Sequence, residues 1–241
     1  MNVIALNSSP NMDKGGTALI LNPFVEGMQE AGAAVEVVYL RRLDIKPCTA
    51  CFACWLKTPG ECVQKDDMAA LCPKLGASDV IVFATPVYAD GMTGTMKTLI
   101  DRCIPLLEPF FEVRDGHCRH PVRQGVKPGK VVLVSASGFT ELDNFDPLLC
   151  HVKALCENLG REFAGALLRP CASALPELEK LGIAVGGVCD AAREAGRELV
   201  TGGRIEDKTA AAVSRELVRR AVYVRAINSR FRRILSEADG A

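Results

Sequence analysis

A chain of 241 residues with 49% apolar composition can bury the core of one large α/β domain, alone or with an appendage, and does not call for two full domains. Its 29 basic and 29 acidic residues cancel, so no overall field recommends nucleic acid or an anionic membrane as partner, and a small ligand is expected. No stretch reaches the roughly 18 uninterrupted apolar residues of a membrane span. Eleven cysteines, an odd number in a chain whose first apolar run begins at residue 2 without a basic leader, are expected as reduced thiols in a cytoplasmic protein.

The first predicted strand, NVIALNSS, runs into a loop of small, hydroxyl and glycine residues, with a helix from about Thr17. Such a loop presents backbone N–H groups and a helix dipole to an anion, and Ser8, Ser9 and Thr17 add hydroxyl donors. It has neither the Gly-Lys-Ser/Thr ending of a P-loop nor a G-x-G-x-x-G pattern, and it also reads as an ordinary turn with Thr17 as N-cap. In the helix, Leu21, Phe24, Val25 and Met28 share a face, and Pro23 is expected to kink or restart it. AAVEVVYL is the second strand, followed by residues 44–65, which carry Cys48, Cys51, Cys54 and Cys62 where a short connection would suffice.

DVIVFATPVY is the third strand. The loop that leaves it, through Pro86, Val87, Tyr88, Gly91 and Met92, suits a flat aromatic ligand: extended backbone faces a ring edge, and Tyr88 and Met92 cover the ring faces. A helix with Met96, Leu99, Ile100 and Cys103 on one side follows, and then a partly basic excursion over 108–129 containing His117 and His120. The glycine–lysine run at 125–130 has the wrong spacing for a nucleotide loop. KVVLVSASGF is the fourth strand, and its end, with Ser137 and Gly138, gives a third small-residue loop at the same edge; EFAGALLRPCA is a weaker fifth. From about residue 174 the pattern is helical, and Leu217, Ala221, Val224, Ile227 and Phe231 form a stripe in an arginine-rich last helix, read as a solvated face beside an apolar subunit contact. Strands alternating with helices predict a doubly wound parallel sheet with its ligand at the carboxyl ends of the strands.

The four clustered cysteines read C-x2-C-x2-C-x7-C. Steps of three let one loop aim several thiolates at a common centre, and the Pro59–Gly60 turn can return Cys62 to the set. The triplet spacing suits an iron–sulfur cubane, four thiolates also satisfy zinc, and a structural or thiol-redox loop needs no metal at all. Most of Cys72, Cys103, Cys150, Cys156, Cys171 and Cys189 are expected in the core.

On these loops, residues 1 to about 172 resemble the flavodoxin-like NAD(P)H-dependent FMN reductase superfamily, and in particular its iron–sulfur flavoprotein branch. The second loop, Thr85-Pro86-Val87-Tyr88 with Met92-Thr93-Gly94, matches the family pattern. In the first, Ser9, Pro10 and Thr17 remain, while Ser8 stands for a glycine, Asn11 for an arginine and Gly16 for an asparagine. The resemblance implies a five-stranded sheet of order 2-1-3-4-5, with an FMN domain over 1–172 and a helical extension over 173–241. It implies FMN held by Ser8, Ser9, Asn11, Gly16, Thr17, Pro86, Val87, Tyr88, Gly91, Met92, Ser137 and Gly138, and a 4Fe–4S cluster on Cys48, Cys51, Cys54 and Cys62. It also implies a homodimer or homotetramer.

The expected function is an FMN-dependent oxidoreductase. It would take electrons from NAD(P)H or a ferredoxin-type donor and deliver them to a quinone, nitro or azo compound or to a redox partner, with no acid–base catalytic residue assigned. A non-enzymatic electron carrier is the alternative, weakened by the neutral charge balance. A cysteine-based metal or redox sensor on the same fold is another.

Overall fold

The computed structural model describes residues 1–180, 182 and 185–239. Its strands are β1 (Asn2–Asn7), β2 (Ala34–Tyr39), β3 (Val80–Pro86), β4 (Glu112–Arg114), β5 (His117–Arg119), β6 (Lys130–Ala136) and β7 (Glu162–Arg169). Its helices are α1 (Gly16–Glu30), α2 (Ala53–Leu56), α3 (Met68–Ala77), α4 (Gly94–Asp101), α5 (Asp146–Leu159), α6 (Leu175–Lys180), α7 (Gly186–Gly202), α8 (Asp207–Ser214) and α9 (Arg220–Asp239).

Five strands form one parallel sheet in the order β2-β1-β3-β6-β7. Counting only its own strands this is the expected 2-1-3-4-5, because β4 and β5 leave it as a separate antiparallel hairpin within the 108–129 excursion. Central strands of a parallel sheet are covered on both faces, so they read as unbroken apolar runs. In β3 the period of two divides that run: Val80, Val82 and Ala84 pack with Ile20, Phe24 and Met28 of α1 and Val188 and Leu199 of α7. Ile81 and Phe83 pack on the opposite face with Leu75, Met96, Leu99 and Val152.

The extension docks on α1 through glycines. A Cβ on Gly27 would stand 1.8 Å from the Arg193 carbonyl oxygen, and one on Gly196 2.2 Å from that of Phe24, so the axes of α1 and α7 approach as only glycine allows. Arg193 with Glu26 at 2.6 Å and Arg197 with Glu30 at 2.7 Å flank the contact. Pro23 does not restart α1: the helix runs on to Glu30, and the Leu19 carbonyl that loses its usual N–H donor faces the Cys189 thiol of α7 at 4.0 Å.

The last helix begins later than expected, leaving Leu217 in the non-helical strap before α9. Ala221, Val224 and Phe231 of the stripe are exposed in the single chain, and among the described side chains of α9 it is Tyr223 that is buried. Cys72, Cys103, Cys156 and Cys171 are buried as expected of core thiols, whereas Cys150 is exposed and Cys189 half-buried. Among the described residues no helix is long and apolar enough to cross a membrane.

Candidate functional site

The carboxyl ends of β1, β3, β6 and β7 open on one groove. It is lined by Ser9, Asn11, Gly16 and Thr17 from the first loop, Pro86 and Tyr88 from the second, Ala136, Ser137 and Gly138 from the third, and Ala172 and Ser173 beyond β7. The first loop is shaped by Asn7, whose Oδ1 accepts the Ser9 N–H at 2.9 Å and whose Nδ2 donates to the Met12 carbonyl at 3.3 Å. Ser9 Oγ in turn accepts the Asn11 N–H at 3.3 Å. Gly15, not Thr17, occupies the N-cap of α1. A side chain there would strike Ser9 Oγ at 2.6 Å, and one on Gly16 would strike Ala172 Cβ at 2.9 Å, so both glycines are needed where the chain turns into the helix.

That shift frees the Thr17 hydroxyl from capping. Thr17 is 1% exposed, and its Oγ1 is buried without a hydrogen-bond partner among the described residues. An orphaned polar atom in a native fold calls for an explanation; this one sits in the first turn of a 15-residue helix, where N–H groups and dipole favour an anion. The loop fits the phosphate end of a flavin mononucleotide.

The second loop is cross-tied by hydrogen bonds. Thr85 Oγ1 donates to the Pro86 carbonyl at 3.0 Å and accepts the Thr93 N–H at 3.1 Å, while the Thr93 hydroxyl caps α4 by accepting the Met96 N–H at 3.3 Å. Tyr88 and Gly91 exchange backbone hydrogen bonds around Ala89 and Asp90, both left-handed (φ 46° and 62°). This tight turn leaves Tyr88 half-exposed beside the groove. Val87 donates its N–H to the Ala136 carbonyl at 2.9 Å, tying the second loop to the third.

Of the sequence-predicted flavin residues, Ser9, Asn11, Gly16, Thr17, Pro86, Tyr88, Ser137 and Gly138 line the groove. Four lie outside its lining. Ser8 is buried with its hydroxyl on the Ala84 carbonyl at 3.3 Å, Met92 is buried and Val87 partly buried against the core below, and Gly91 completes the tyrosine turn. Ala172 and Ser173 were missed by sequence reasoning; the rule that ligands gather at strand carboxyl ends, applied to the weak fifth strand, pointed to them.

The cysteine loop lies between β2 and α3. Ala50 and Phe52 are left-handed (φ 51° and 52°), an uncommon state for residues with a Cβ. The Ala50 N–H reaches Cys48 Sγ at 3.5 Å. A backbone hydrogen bond from Ala53, helped by the Thr49 hydroxyl, lowers the Cys51 pKa. Burial raises that of Cys54, and the nearby Cys62, Cys48 and Cys51 raise it further. Gly60, left-handed at φ 87°, donates its N–H to the Cys54 carbonyl at 2.9 Å and turns the chain back toward Cys62.

Beneath the loop Arg102 is 2% exposed. It bonds Asp66 at 2.6 and 3.0 Å, the Lys46 carbonyl at 2.7 Å and Cys62 Sγ at 3.4 Å. Burial pushes Asp66 up, but the Arg102 hydrogen bond leads the contacts that leave its carboxyl below the usual range. The donor set therefore fits a thiolate-held group in kind, with sulfurs that already take N–H donors. Among the described residues, however, no three side chains stand at metal-ligating spacing. Trp55, stacked 5.3 Å from Phe52 and tilted against His120 at 4.7 Å, donates to the Leu107 carbonyl at 2.9 Å and anchors the loop beside the 108–129 excursion.

Comparison with known proteins agrees with this geometry. An iron-sulfur flavoprotein of Archaeoglobus fulgidus is 40% identical over 102 residues, which cover 42% of this chain and 48% of the relative. A second from that organism is 33% identical over 141 residues, covering 58% of each. The chain spans about half the length of these curated relatives. An FMN-dependent NADH-azoreductase from Bacillus anthracis, solved in complex with FMN, superposes with a TM-score of 0.60 at 16% identity over 83% of this chain and 99% of its own, a likeness of fold. The sequence profile described as NADPH-dependent FMN reductase matches residues 1–139, more than half of the chain, and with its loops and parallel sheet this protein belongs to that family.

Proposed function

We propose that this protein is an FMN-dependent oxidoreductase that takes electrons from NAD(P)H or a ferredoxin-type donor. The acceptor would be a quinone, nitro or azo compound, or a redox partner. The observation that carries the reading is the Thr17 hydroxyl, buried and unpartnered in the first turn of α1 inside a groove walled by three loops. When bound, the flavin supplies the redox chemistry. Thr17, Ser9 and the α1 N-terminus bind its phosphate; Pro86 and Tyr88 wall the ring end, and Ser137 and Gly138 close the far side. No side chain needs to act as general acid or base, and the protein's task is orientation and exclusion of water.

Cys48, Cys51, Cys54 and Cys62 would hold a 4Fe–4S cluster, consistent with four free thiols on one loop and with N–H donors at the sulfurs. A cluster-free reductase with a structural cysteine loop is the second reading, favoured by the absence of ligating spacing among the described residues. The assignment extends to an FMN domain over 1–172, a helical extension over 173–241, a homodimer or homotetramer, and a cytoplasmic location.

Anaerobic purification followed by an absorption spectrum and iron, sulfide and zinc analysis tests both readings together. Flavin bands with about four irons and four sulfides per chain are expected. Flavin without metal selects the second reading, and a protein that neither retains FMN nor takes it up on reconstitution overturns both.

A further inference from the structure

The flavin loops lie within or close to residues 1–139, where the family profile matches, yet the third of them is held by a residue far outside that stretch. Tyr223 of α9 is 8% exposed, and its hydroxyl donates to the Gly138 carbonyl at 2.7 Å. The Ser173 hydroxyl stands 3.5 Å from the same phenolic oxygen. Gly138 and Ser173 both line the groove, on adjoining walls, so one side chain of the extension braces both.

Accounting for the loop's backbone groups sharpens the role. The Ser137 N–H donates to the Arg169 carbonyl at 3.0 Å, and the Phe139 N–H to Ser137 Oγ at 3.0 Å. The Ser137 carbonyl accepts from Ala172, the Phe139 carbonyl from Cys171 and the Gly138 carbonyl from Tyr223. What remains is the Gly138 N–H, which takes no partner among the described residues. A Cβ built on Gly138 meets nothing within 4 Å, so no steric contact holds this peptide at its α-carbon. The outer tie between Arg220 and Glu141, 3.0 Å long with Arg220 72% exposed, is solvent-screened and weak.

We infer that Tyr223 is a positioning residue of the flavin groove: its hydroxyl fixes the Gly138 peptide, keeping that N–H uncommitted on the groove wall for the cofactor. Burial raises the phenol pKa, so the hydroxyl stays a donor at neutral pH. The inference rests on the FMN reading and extends it to the helical extension.

The test is Tyr223→Phe in the full chain, which keeps the ring and removes only the hydroxyl. FMN titration of the apoprotein should show affinity reduced by about five- to tenfold, the scale of one hydrogen bond. The visible absorption of bound flavin should shift, while the apoprotein's thermal midpoint falls by no more than the few degrees that one lost hydrogen bond accounts for. Val224→Ala, an exposed neighbour on the same helix, should match wild type in all three. Affinity within about twofold of wild type with an unmoved flavin spectrum overturns the inference, as does a loss of affinity shared by Val224→Ala or accompanied by an apoprotein midpoint lowered well beyond the few degrees of one hydrogen bond. Wild-type protein that binds no FMN overturns the flavin reading and this inference with it; tight wild-type binding with an indifferent Tyr223→Phe overturns this inference alone.

Discussion

At the scale of single residues, two buried polar groups carry opposite signatures. Thr17 Oγ1 lacks a partner, so replacing it with the isosteric valine removes an unsatisfied hydroxyl and leaves nothing unpaired behind. Thr17→Val should therefore leave apoprotein stability unchanged or raised by up to about 1 kcal/mol, while weakening FMN by about tenfold, both readable by thermal melting and flavin titration. Arg102 is the converse at its two terminal nitrogens, which carry all of its hydrogen bonds while its Nε has none. Its ion pair with Asp66 has side chains 1% and 0% exposed, and Arg102→Met would strand a buried carboxylate. The expected loss is about 3–5 kcal/mol in denaturant unfolding, and Asp66→Asn added to Arg102→Met should restore part of it, because the neutral amide oxygen can still accept from the Lys46 or Met68 N–H. The place of Thr17 in the groove lining was legible from the loop's composition. Asp66 was not, because a lone acidic residue signals nothing until the arginine that it meets, 36 positions away, is known.

At the scale of elements, close approach decides which substitutions matter. Gly196→Ala would put a methyl group 2.2 Å from the Phe24 carbonyl oxygen and force α7 off α1, for an expected cost of about 1–3 kcal/mol. Gly202→Ala, at the end of the same helix with nothing within 4 Å, should cost little by the same denaturant measurement. The parallel strands were readable because burial on both faces writes itself as continuous apolar runs, and the three loops because glycine, proline and hydroxyl residues cluster where those runs stop. The behaviour of Pro23 was hidden, since a proline inside a helix reads as a break until the thiol facing its orphaned carbonyl is placed. The apolar stripe of α9 was readable only as a shared face: helical periodicity says which side chains lie together, not what covers them, and it gave no sign that Tyr223, outside the stripe, is the buried one.

At the scale of the whole molecule, the shifted groups define a stability window in pH. The Thr140 hydroxyl and then Arg220 hold Glu141 down to about 2. The Asn2 N–H and then Lys127 hold Asp79 below the usual carboxylate range. A carboxyl whose folded pKa is depressed binds fewer protons folded than unfolded, so its contribution is complete above the unfolded value, near 4, and drains away as pH falls through the folded one. Thiols act at the other end. Burial raises Cys72 and Cys156 to about 12, so the folded chain keeps protons that the unfolded chain releases from about pH 8.5 upward, and stability declines as pH climbs through the folded values. Urea unfolding of the reduced protein should thus give a plateau between about pH 5 and 8 with a fall on each side. Asp79→Asn should flatten the acid limb because it removes one of the groups that titrate there, and Cys156→Ala should flatten the alkaline limb. A profile level down to about pH 3 would reject the acid assignment, and an alkaline limb indifferent to Cys156→Ala would reject the role given to its buried thiol.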